Sequence, residues 1–186
     1  MKAIETKLKG CFILEPQVFE DSRGYFFESF NQEKFEEQVG ISVHFVQDNE
    51  SYSSKGVLRG LHYQTGKYAQ AKLVRVIEGS VLDVAVDIRR DSVTFGQYIT
   101  VLLTGENKKQ FFVPKGFAHG FVVLSDKVRF SYKCDNFYNK ASEGGISYND
   151  KTLKIDWQLR EEDLIISEKD QFLPAFENAR LPDESY

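Results

Sequence analysis

The dominant spacing of hydrophobic and polar positions along this chain is two. In Ser80–Ile88 (SVLDVAVDI), Leu82, Val84, Val86 and Ile88 share one face, and Val81, Asp83, Ala85 and Asp87 share the other. Alternation alone leaves open which face points inward. Similar runs occur at Lys72–Glu78, Gln97–Leu103, Gln110–Val113, Gly120–Leu124 and Arg129–Cys134. Gly56, Gly60, Gly66, Gly79, Gly96, Gly105, Pro114 and Gly116 separate many of them. Many short strands at this spacing predict a β-sandwich or barrel. Helical patterns are few. Asn31–Val39 begins on a capping Asn and ends before Gly40, which suits the position just past a helix. Arg160–Ile165 and the tail after Pro174 are each expected to hold a short helix. No repeat, low-complexity tract or linker interrupts the pattern, so a single domain is expected over residues 1–186. His44, in ISVHFVQ, reads as an ordinary strand residue.

Composition narrows the function classes. A chain of 186 residues buries enough surface to fold without a disulfide or metal staple. No apolar run approaches the ~20 residues of a bilayer span. The N-terminal stretch MKAIETKLKGCF lacks the apolar segment of a secretory signal. The expectation is a cytoplasmic protein without a membrane partner. The net charge of -4 argues against a nucleic-acid partner, whose binding rests on phosphate neutralisation. A few placed cations would still hold an anionic ligand. Cys11 and Cys134 form no CxxC pair, which excludes a cysteine zinc site. A disulfide between them is allowed but unsupported, and the plain reading is two reduced thiols. Sixteen Phe residues are an unusual load, and most of them are assigned to a β core.

The segment Pro114–His119 matches Pro-x-Gly-x-x-His and resembles the second sequence motif of the cupins. Its Pro and Gly make a tight turn between two strands, and His119 returns toward the mouth of the fold. The expected fold class is therefore all-β: a cupin jelly roll, built as a double-sheet sandwich or barrel, with a few short helices. The first cupin motif, His-x-His followed by Glu, is absent. The matching region reads LHYQ and leaves His62 alone. A metal site wants three or four ligands in fixed geometry, so metal-free acid–base chemistry is expected.

A more specific resemblance rests on seven strings. FEDSRGYFFESF, FVQDNESYS, GVLRGLHYQ, KLVRVIEG, VPKGFAHGF, SYKC and SEKD occur in this order. Together they resemble the dTDP-4-dehydrorhamnose 3,5-epimerase family, from about residue 10 to residue 175. The resemblance implies a homodimer, no cofactor, and a dTDP-linked 4-keto-6-deoxy sugar inverted at C3 and C5. Three rivals stand beside it. Related enzymes invert one centre or move the ketone from C4 to C3. A non-catalytic cupin would bind a nucleotide sugar without needing His62, Asp170 and Tyr132 together. A dioxygenase-type cupin would need the missing His-x-His.

Inversion beside a ketone needs a base, an acid on the other face, and a cation near the enolate oxygen. His62 suits the base, because an ordinary imidazole titrates at about 6.5. Tyr132 suits the acid, since it alternates with Phe130 and Cys134 on an apolar face. Lys72 shares the parity of Val74 and Val76, so it points inward and suits the enolate. By similarity to the family, Asp170 orients His62. The resemblance also assigns Arg59 and Arg23 to the diphosphate, with His119 in support. Gln47 and Asn49 face one way and suit polar contacts to the ligand; Asp48 lies between them. Glu28, Glu143 and Lys169 match binding positions of the family, and Tyr138 matches the ring that stacks on thymine. Arg59 and His62 pose a difficulty. They are three apart, so a regular strand puts them on opposite faces unless Gly60 makes a bulge.

Overall fold

The computed structural model describes residues 1–182. Its strands are β1 (Lys2–Glu5), β2 (Phe12–Glu15), β3 (Val18–Asp21), β4 (Gly24–Phe27), β5 (Gln47–Ser54), β6 (Val57–Gln64) and β7 (Lys72–Glu78). There follow β8 (Ser80–Asp87), β9 (Tyr98–Thr104), β10 (Gln110–Val113), β11 (Phe117–Val123), β12 (Lys127–Cys134), β13 (Glu143–Gly145) and β14 (Ile165–Ile166). Two α-helices, α1 (Gln32–Val39) and α2 (Glu168–Gln171), complete the regular elements, with short 3₁₀ turns. One six-stranded sheet runs β1-β2-β10-β7-β12-β5. The other runs β13-β6-β11-β8-β9, with β14 parallel to β6. The hairpin β3–β4 stands apart from both. The sheets form a sandwich, not a closed barrel.

Three apolar layers hold the sandwich. Between the sheets, Val74, Val76 and Phe130 meet Val81, Ala85 and Phe121. Outside the second sheet, Leu58, Leu82, Val84 and Val122 lie under Ile146, Leu153 and Trp157 of the C-terminal segment. Outside the first sheet, Leu14, Leu73 and Phe112 lie under Phe35 and Val39 of α1. This arrangement explains why β8 is buried on both faces: each face is covered. It also fixes the inner face as the one bearing Val81, Asp83, Ala85 and Asp87, because Val81 and Ala85 pack between the sheets.

The helix α1 forms where its caps predict. Asn31 Oδ1 accepts the Lys34 N–H at 3.1 Å, and Gly40 takes φ 72° just past the end. Phe35 and Val39, four apart, form its buried stripe. The two expected C-terminal helices are single 3₁₀ turns, Glu161–Asp163 and Phe176–Asn178. His44 departs from expectation. It is exposed and lies in an irregular stretch before β5. Its neighbour Val43 packs against α1 and accepts a hydrogen bond from Gln32 Nε2, so the stretch is tied to the helix and not to a strand.

Candidate active site

One irregularity builds the site. Where β6 pairs with β11, His62 lies opposite His119 and Arg59 lies opposite Phe121. Three steps on β6 thus match two on β11, which is a β-bulge. Gly60 absorbs it at φ 131°, and the Gly60–Leu61 peptide is cis. A Cβ on Gly60 would stand 2.6 Å from Gly120 Cα, so this crossing needs glycine. Before the bulge Arg59 faces the interior; after it His62 does. Both line the same cavity.

The bulge also recruits a carboxylate. The Gly60 N–H donates to Asp170 Oδ2 at 3.3 Å, while Asp170 Oδ1 lies 2.7 Å from His62 Nε2. Asp170 sits within α2, where Ser167 Oγ accepts its N–H. The preceding β14 anchors this segment to β6, and the Ile165 N–H donates to the Gly56 carbonyl at 2.8 Å. The Asp170 side chain is 4% exposed and that of His62 is 30% exposed. Burial pushes the Asp170 carboxyl up. The hydrogen bond and charge of His62, with the Gly60 N–H and Ser167, outweigh it and hold the group below the ordinary carboxylate range.

The cavity between the sheets measures about 490 Å³. His62, Arg59 and His119 line it from the second sheet, Lys72 and Tyr132 from the first, and Asp170 and Lys169 from the α2 segment. A smaller cavity of about 200 Å³ adjoins it, lined by Gln47, Asn49, Cys134, Tyr138 and Glu143. His62, Lys72 and Tyr132 border both, so they stand at the junction. Tyr132 Oη and Lys72 Nζ make no hydrogen bond among the described residues. Burial pushes the Tyr132 phenol up, Cys134 adds to that and Arg59 opposes it, so the hydroxyl keeps its proton at neutral pH. Burial pushes Lys72 down from the ordinary lysine range.

The remaining candidates separate into two groups. Arg59 bonds Ser53 Oγ through Nε and Nη2, each at 3.2 Å, and has no acidic partner among the described residues. Glu143 pairs with Lys169 and accepts the Tyr138 hydroxyl at 3.1 Å. Gln47 Nε2 donates to Asn49 Oδ1, and the Tyr138 N–H donates to Gln47 Oε1. The other group lies elsewhere. Asp48 has the opposite parity, turns to the outer face and pairs with Lys133 at 2.9 Å. Arg23 sits in the β3–β4 turn, held to Asp21 at 2.6 Å and largely exposed. Glu28 follows that hairpin and pairs with Lys34. None of these three lines either cavity of this chain.

Two further residues belong to the site. Ser51 lines the large cavity, and its hydroxyl is buried without a partner. Its parity with Gln47 and Asn49 was the available signal. Asp83 is fully buried and lies 2.8 Å from His119 Nε2 through Oδ1. Among the described residues, no three or more His, Cys, Asp or Glu side chains are grouped to hold a metal ion.

Comparison with known proteins agrees with this architecture. The family model described as dTDP-4-dehydrorhamnose 3,5-epimerase matches residues 5–178. The dTDP-4-dehydrorhamnose 3,5-epimerase of Escherichia coli strain K12 is 56% identical over 173 residues, covering 93% of this chain and 93% of that protein. The crystal structure of the Elizabethkingia anophelis enzyme of the same name is similar at a TM-score of 0.92 and 62% identity, covering 96% of this chain and 97% of that one. A Legionella pneumophila epimerase solved with dTDP-4-keto-L-rhamnose is similar at 0.94 and 49% identity, covering 100% of this chain and 99% of that one. The chain belongs to the dTDP-4-dehydrorhamnose 3,5-epimerase family of isomerases.

Proposed function

We propose that this protein inverts C3 and C5 of dTDP-4-dehydro-6-deoxy-D-glucose, with His62 as base and Tyr132 as acid. The observation that carries this reading is the junction of the two cavities. A half-exposed imidazole backed by a buried carboxylate comes from one sheet, and a protonated phenol and a lysine come from the other. The protons at C3 and C5 are acidic because both carbons flank the C4 ketone. His62 takes one of them and becomes an imidazolium that Asp170 supports. The electron pair moves onto the C4 oxygen, where the Lys72 ammonium meets the enolate. Tyr132 returns a proton to the opposite face of the carbon and becomes a phenolate. The phenolate regains its proton from the imidazolium through solvent, and the second carbon follows the same course.

The rest of the ligand has matching walls. Arg59, held on Ser53 and without an acidic partner among the described residues, offers its guanidinium to a phosphate. Gln47, Asn49 and Glu143 give polar contacts, and Tyr138 offers an exposed ring for thymine. The protein acts as a homodimer in this reading. Phe19, Tyr25 and Phe26 leave the β3–β4 hairpin with exposed aromatic surface, and Arg23 and Glu28 lie beside it, outside their own chain's cavity. A second copy would cover that surface and receive those residues. Residues 1–186 act as one domain, supported by a C-terminal segment that shares a core with the second sheet. No described helix is long and apolar enough to cross a membrane, and the unpaired thiols of Cys11 and Cys134 suit the reducing cytoplasm.

Incubation with the 4-keto sugar in heavy water, followed by NMR, tests the reaction. Deuterium should enter at both C3 and C5. Label at one centre would make the protein a mono-epimerase, and tight binding without label would make it a nucleotide-sugar-binding protein.

A further inference from the structure

The loop between β12 and β13 carries Tyr138 but buries little to hold itself. Phe137 and Tyr138 are both more than half exposed, and residues 137–139 form no regular element. A segment with so little burial depends on its hydrogen bonds to stay in place. Side-chain amides supply them. Gln70 Nε2 donates to the Asn136 carbonyl at 2.7 Å. Gln47 Oε1 accepts the Tyr138 N–H at 3.3 Å, and Gln64 Oε1 accepts the Asn139 N–H at 3.0 Å. Gln47 starts β5 in the first sheet, and Gln64 ends β6 in the second. Two consecutive N–H groups thus tie the loop to both sheets across the mouth of the sandwich.

We propose that Gln64 is a positioning residue for the nucleotide: by holding the Asn139 N–H it fixes the Tyr138 ring at the small cavity, ready to stack on the base of the substrate. This deepens the epimerase reading and rests on its placement of thymine at Tyr138.

The neighbours of Gln64 single it out among the three amides. Gln64 is buried, whereas Gln47 is partly open and also donates to Asn49. It lies two residues past His62 on β6, so both side chains face one way and line the small cavity together. In the β6–β13 ladder Gln64 stands opposite Glu143. Glu143 Oε2 accepts the Tyr138 hydroxyl at 3.1 Å, and Lys169 pairs with the same carboxylate. One rung of that ladder therefore holds Tyr138 at both ends: Glu143 takes the hydroxyl, and Gln64 takes the backbone just past the ring. The strand that presents His62 to the sugar also sets the platform for the base.

Gln64→Met keeps the length of the side chain and removes the acceptor. The affinity for dTDP, read by calorimetry, should fall by about 5–50-fold, within what stacking on one base is worth. KM should rise in step while kcat stays within about twofold, because His62, Lys72 and Tyr132 are untouched. Inorganic diphosphate has no base and should bind the native and altered proteins alike. In a Tyr138→Ala background the same change should cost almost nothing more, because one residue acts through the other. An unchanged dTDP affinity, equal losses for dTDP and diphosphate, a fall in kcat without a rise in KM, or additive losses with Tyr138→Ala would each overturn the proposal. The hold itself is read on the unaltered protein by amide hydrogen exchange. The Asn139 N–H should exchange at least about tenfold more slowly than in an unstructured chain, and exchange at the unstructured rate would refute the proposal. A native protein that binds dTDP but incorporates no deuterium would instead refute the epimerase reading, and dTDP affinity would still judge Gln64.

Discussion

Two His–Asp pairs face one cavity, and they are nearly identical as geometry. His62 and Asp170 lie 2.7 Å apart; His119 and Asp83 lie 2.8 Å apart. They differ in water and in what else holds the carboxylate. The His62 side chain is 30% exposed, against 8% for His119. Asp170 takes an N–H from Gly60 on its second oxygen and ends below the ordinary carboxylate range. Asp83 Oδ2 has no hydrogen-bond partner among the described residues, and burial leaves the carboxyl above that range despite His119 and Lys72. A base must reach substrate and shed its proton to solvent, and the proposed reaction assigns that task to the wetter pair. The drier pair is sealed into the wall, with His119 8% and Asp83 0% exposed. The same residue types at the same distance therefore carry different work, and the surroundings decide which.

The largest expected effect separates the pairs directly. His62→Asn should lower deuterium exchange at both carbons by about 10²–10⁴-fold, the usual worth of a general base, with dTDP binding retained. His119→Asn should lower exchange far less and raise KM. Equal losses of exchange, measured by NMR in heavy water, would erase the distinction. The bulge that serves the first pair comes next in size. Gly60→Ala places a Cβ on a φ of 131° and against Gly120 Cα at 2.6 Å. It should cost about 1–3 kcal/mol in urea unfolding and shift His62 relative to Asp170. Unchanged stability and exchange would mean that the crossing tolerates a side chain.

Much of this wall was legible in the sequence because regular strands alternate strictly. Parity alone put Lys72 with Val74 and Val76, and Tyr132 with Phe130 and Cys134, and those side chains do line the cavities or the inner core. Asn31 and Gly40 bounded α1 through local capping chemistry. Parity failed where strands are irregular or doubly covered. Arg59 and His62 share a face only because β6 carries one more residue than β11, and register against a partner strand is not written locally. Asp83 lies on a strand with buried side chains on both faces, so alternation defined two sets without naming the inner one. Asp170 meets His62 across 108 residues, and only the family resemblance proposed that pairing. Arg23 and Glu28 lie on and beside a hairpin outside the sandwich, beyond the reach of any parity argument within one chain.

The smallest expected effect is on acid stability, and there the two carboxylates have opposite signs. Stability rises with pH wherever the unfolded chain binds more protons than the folded one. Asp170 is held below its ordinary value of about 3.9, so the unfolded chain takes up its proton first as pH falls. Its contribution is complete above that value and is lost as pH drops through the folded one. Asp83 is held above the same value, so the folded chain keeps the proton longer. Its contribution works against the fold as pH climbs from about 3.9 through the folded value. Each group changes the slope by at most about 1.4 kcal/mol per pH unit. Urea unfolding of Asp170→Asn should therefore show a shallower loss of stability below pH 4 than the native protein. Asp83→Asn should lose its opposing slope above pH 4. If both variants flatten the same limb, the two carboxylates titrate alike, and the contrast between a wet pair and a dry pair would have no electrostatic basis.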